Sequence, residues 1–191
     1  MVAPGMFGYT RYEGARNQLN SAIKLWFENE DMVSTHMLAY HAHEMLHQIH
    51  RRSGGNLLFD SKAISESERK EFCLSLKAPA NFFKHANDKN ELDKDIKQAI
   101  DPTETLAFIL MSIEVILQRD DPVTKREAAF LIWATINRPQ WFSQTLKVLI
   151  VENKSIAKIG SYDREQFLDS FDLLIKTNPT FVEDIFGTLA T

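Results

Sequence analysis

The 191-residue chain has one cysteine, Cys73. It therefore forms no intramolecular disulfide and no cysteine-based zinc module, and a lone thiol fits a reducing interior. Turn residues are also scarce, with seven glycines and six prolines. Together they make up about 7 % of the chain, against roughly 12 % in average usage. That scarcity excludes a many-stranded sandwich and a collagen-like rod. Long apolar runs are missing. The longest near-continuous one, residues 106–117, carries Ser112 and Glu114 and is too short and too polar to span a bilayer. The first residues, MVAPGMFGYTR, hold no apolar signal core. Net charge is only −4 with a pI near 5.9, so nothing drives non-specific attraction to nucleic acid or to an anionic membrane surface. The chain also lacks a glycine-rich phosphate loop, an EF-hand and a G-x-S-x-G elbow. These absences lead us to expect a soluble cytoplasmic protein with no membrane partner.

What is present is helical periodicity. Ala15, Leu19, Ala22, Ile23 and Trp26 form one stripe of a first helix. Asp31 can cap a second helix that runs to about Arg52 and stops at Ser53-Gly54-Gly55. Ser65 with Glu68 reads as a capping box for a third helix, and Pro79 as the first turn of a short helix containing Asn81-Phe-Phe-Lys-His85. Asp101-Pro102 with Glu104, and Thr124 with Glu127, open two more helices. Pro139 interrupts the second of these and restarts a helix towards Val151. Phe167, Leu168, Phe171, Leu174 and Ile175 form another amphipathic face, and Asn178-Pro179 precedes a last helix. No alternating run is long enough for a strand. The expectation is an all-α, multi-helix bundle of eight to ten helices in a single domain. Its core covers residues 10–120, and a C-terminal helical extension covers residues 121–191.

The abundance that needs explaining is histidine. Five of six (His36, His41, His43, His47 and His50) fall within fifteen residues. At 100° per residue, His36, Tyr40, His43, His47 and His50 form one stripe, while Leu38, Ala42, Met45, Leu46 and Ile49 lie on another face. His41 stands apart. The bland assignment is a polar seam between helices; another is a metal or subunit contact through His43 and His47. His43-Glu44-x-x-His47 also matches H-E-x-x-H. On a helix that spacing offers two imidazoles to zinc with Glu44 as general base. Glu66, eighteen intervening residues after His47, would be the third ligand. The glycine and third histidine of the metzincin pattern are replaced by His50 and Ser53.

A second motif is Asn81-Phe82-Phe83-Lys84-His85-Ala86. With Ala15-x-x-x-Leu19-x-x-Ala22 and Leu38-Ala39-Tyr40-x-Ala42-x-Glu44, it resembles the HEPN superfamily of helical bundles over residues 10–120. The chain is also similar to an uncharacterised bacterial family with HTLA-like and NFFKHA-like segments, here His36-Met37-Leu38-Ala39 and Asn81 to Ala86. The HEPN resemblance implies a helical core, pairing into a homodimer and, in active members, metal-independent RNA cleavage. That reaction would use His85 with Asn81. The family's arginine before the asparagine is Ala80 here, and a methyl group cannot contact phosphate. Lys77 or Lys84 would have to supply the charge. The reading is therefore a non-catalytic binding or regulatory module acting as a homodimer, with RNA or a protein as possible partners and no cofactor beyond a possible zinc. The alternatives are the His85 ribonuclease and the zinc hydrolase on His43, Glu44, His47 and Glu66.

Overall fold

A computed structural model describes residues 6–55, 66–84, 97–151 and 154–186. Among them there is no strand. Nine α-helices follow in order: α1 Arg11–Phe27, α2 Met32–Arg52, α3 Glu66–Lys84, α4 Pro102–Gln118, α5 Lys125–Asn137, α6 Gln144–Val151, α7 Lys154–Ile159, α8 Arg164–Thr177 and α9 Phe181–Phe186. The all-α bundle expected from the periodicity is what forms. No helix of the described residues is long and apolar enough to cross a membrane.

The helix starts lie where the capping chemistry places them. Thr10 and Glu13 form a capping box on α1, and Thr124 and Glu127 form one on α5. Asp31 accepts from the N–H groups of Val33 and Ser34, and Asp101 from that of Thr103. Three helices end in a reversed turn with the same pair of bonds. At the end of α2, Gly54 (φ +84°) donates to the Arg51 carbonyl and Gly55 to that of His50. Asn29 does the same after α1, and Asp120 after α4, both at positive φ. The left-handed residue lets the chain turn back and satisfies carbonyls that the helix leaves open.

Two sequence expectations change. Pro79 does not open a helix; it lies inside α3, which is continuous. Leu76, Pro79 and Ala80 are all buried and form one stripe at i, i+3 and i+4. Burying that stripe offsets the ladder bond that proline removes. Pro139 opens a single 3-10 turn to Trp141, and the next helix starts only at Gln144. Trp26 and Trp133 are core residues, but Trp141 is exposed. The proposed cap at Ser65 lies outside the described residues, as does the side chain of Cys73.

α1 and α2 form an antiparallel hairpin, and α2 and α4 run side by side in the same direction. His36 meets Thr105 at one end of that pair, and His50 shares a cavity with Gln118 and Arg119 at the other. On the opposite side α1 packs on α5 and α8. Trp26, Phe27, Phe130 and Trp133 meet edge to face at 5.7–6.1 Å, and Phe167 stacks on Phe27 at 5.8 Å. A buried ion pair joins α1 to the start of α5. Arg16 holds Glu127 through Nε (3.0 Å) and Nη2 (2.8 Å), and Asn20 adds a third bond at 3.3 Å. Glu127 thus caps α5 and neutralises Arg16 with the same carboxylate.

Candidate functional site

The histidine stripe is not a flank of the apolar face. His36, His43 and His50 are buried together with Ala39, Tyr40, Ala42 and Leu46, whereas Leu38, Met45 and Ile49 are only half-buried. The reason is that α2 packs between α1 and α4 and also touches α3, so its buried arc is wider than one apolar stripe. Phe108 of α4 fills the centre of this contact. The rings of His36, Tyr40 and His43 lie 5.6, 5.4 and 5.4 Å from it. Nδ1 of His36 is bonded to Oγ1 of Thr105 at 2.9 Å. Burial pushes the His36 pKa below the ordinary imidazole value, because a charged ring there would lose its hydration.

The two histidines of the H-E-x-x-H string sit one turn apart with rings nearly parallel at 5.4 Å. His43 is buried and His47 half-buried. Glu66 opens α3, and its side chain lies outside the described residues. Among the described residues no three His, Cys, Asp or Glu side chains gather as a metal site.

Glu44 is differently engaged. Its Oε1 lies 3.2 Å from Nζ of Lys77 on α3. Burial alone would raise its pKa. Hydrogen bonds from Tyr40 and Lys77 and the charges of Lys77 and Lys84 outweigh burial and hold it below the usual carboxylate value. A general base working near neutral pH needs the opposite shift. The structure therefore brings residues of the two candidate motifs together, Glu44 from one and Lys77 and Lys84 from the other. Ala80 is buried on the inner side of α3, while Asn81 and Lys84 are exposed. His85 lies outside the described residues.

The spacing of the sequence carries no signal for the Glu44–Lys77 contact, which joins two separate helices. Nor does it show that Glu127 would be buried against Arg16, beyond its place in a capping box. The Ser53-Gly54-Gly55 signal reads only as a helix stop, yet Gly55 lies directly over the His50 ring.

No family model, curated protein or solved structure matches the chain.

Proposed function

We propose that the protein is a non-catalytic binding module that acts as a homodimer, on a bundle that resembles the HEPN core over residues 10–120. One observation carries this reading, the ion pair between Lys77 and Glu44. It engages Lys77, one of the two cations that would stand in for the missing ribonuclease arginine, and the carboxylate that would serve a zinc hydrolase as base. The homodimer follows from the HEPN resemblance; the exposed Leu74 and Phe83 of α3 lie on opposite sides of that helix. A cytoplasmic setting agrees with the single cysteine.

The second reading is a metal-independent ribonuclease on His85 with Asn81 and Lys84. Its support is that Asn81 and Lys84 are exposed near the end of α3, immediately before His85. Incubating the purified protein with RNA in the presence of a chelator separates the two. The module reading predicts a stable dimer in light scattering and no cleavage. Cleavage that His85→Ala abolishes would establish the ribonuclease instead. One zinc per chain in protein purified without added metal would favour the hydrolase on His43, Glu44, His47 and Glu66. A monomer at all accessible concentrations would remove the homodimer.

A further inference from the structure

A different site lies where α2 and α4 both end. A cavity of about 400 Å³ is lined by His50, Ser53, Gly54, Gly55, Gln118 and Arg119. His50 is 6 % exposed, and its Nε2 has no hydrogen-bond partner among the described residues. Such a buried nitrogen is costly to leave unpaired. The ring is clamped from one side by backbone. A Cβ on Gly55 would come within 2.1 Å of both Cε1 and Nε2, so only glycine closes the turn over it. Arg119 is fixed on the other wall. Its Nε lies 3.1 Å from Oδ2 of Asp121, and its guanidinium covers the Tyr12 ring at 5.0 Å. Its two terminal nitrogens bond to no other described residue.

The geometry points to a small oxyanion, a carboxylate or a phosphate, held between Nε2–H of His50 and the terminal nitrogens of Arg119. A fixed guanidinium fork with one further N–H donor is the usual chemistry of oxyanion recognition. The negative ends of α2 and α4 oppose an anion. They are blunted here, because the reversed turns already donate N–H groups to carbonyls of the last turns. Two carboxylates stand near the site: Asp121, already bonded to Nε of Arg119, and Glu114. Glu114 accepts the Gln118 amide at 2.9 Å. Burial holds its carboxyl above the usual range, while the Gln118 bond and the His50 charge act the other way. This site shares no residue with the Lys77–Glu44 pair, so its failure would leave the module reading intact.

Titration of the whole protein with inorganic phosphate, and separately with succinate, tests the inference. The His50 imidazole nitrogens are followed by NMR and assigned by their loss in His50→Phe. The expected result is a saturable shift with an apparent Kd of about 1 mM or tighter. Arg119→Gln and Gly55→Ala should each weaken binding roughly tenfold or more, in variants whose helical circular dichroism is unchanged. Saturation by phosphate alone assigns a phosphate ligand, and saturation by succinate alone a carboxylate. No saturable shift with either anion overturns the inference, as does a shift that both variants leave unchanged. The wild-type titration decides the matter by itself if the variants fail to fold.

Discussion

Two contacts hold the α1–α2 hairpin in the bundle, and they are built from different chemistry. α1 meets α5 and α8 through Trp26, Phe27, Phe130, Trp133 and Phe167, rings whose burial is independent of pH. α2 meets α4 through His36, Tyr40, His43 and Phe108, where imidazoles occupy positions that aromatic hydrocarbons fill elsewhere. The first contact gains from area removed from water. The second gains less per ring, because a buried imidazole carries polar nitrogens that need partners. The first set of rings carries no titratable group, while the second couples the stability of the bundle to protons through His36.

The largest expected effect is on the aromatic side. Phe27→Ala should destabilise the protein by about 3–5 kcal/mol in urea unfolding. An equal loss in His43→Ala would break the comparison. Next comes the seam's own hydrogen bond. Thr105→Val keeps the shape but removes the hydroxyl bonded to Nδ1 of His36. It should cost about 1–3 kcal/mol, and an unchanged midpoint would mean that the bond contributes nothing. Of the two sets of rings, acid should act on the seam. The unfolded His36 binds a proton near pH 6.5, and the folded one only at lower pH. Below 6.5 the unfolded state therefore holds more protons, and stability falls as pH falls until the folded ring also titrates. The slope is at most about 1.4 kcal/mol per pH unit for one proton. His36→Leu should flatten the curve of melting temperature against pH over that window, while Phe27→Ala should leave its shape unchanged. The smallest effect belongs to the pair at the candidate site. Lys77 and Glu44 are both partly in solvent, so Lys77→Met should cost less than about 1 kcal/mol. It should nevertheless raise the Glu44 titration midpoint measured by carboxyl NMR.

Much of this architecture is legible in the chain. Asp31, Asp101, Thr124 with Glu127, and Gly54 each mark a helix end through bonds to neighbours within a few residues, and such local chemistry survives any tertiary arrangement. The apolar stripe of α1 points to the core for the same reason. Pro79 misleads, because its local preference for a first turn is overridden by the stripe Leu76–Pro79–Ala80. The site is less legible. A helical wheel separates the imidazoles from the apolar residues of α2 but cannot say that both sets are buried, since that depends on how many helices surround α2. The H-E-x-x-H string carries its spacing faithfully, yet the partner of Glu44 comes from a helix more than thirty residues away.

The sequence by itself determined the all-α class, several helix boundaries and which residues of α1 face inward. Each follows from periodicity and capping within one or two turns. Only the tertiary structure decided that the histidine stripe is interior, that Glu44 is paired with Lys77 and that His50 lies under Gly55. Those outcomes depend on which helices come to lie side by side, and distant segments meet through packing that no local spacing encodes.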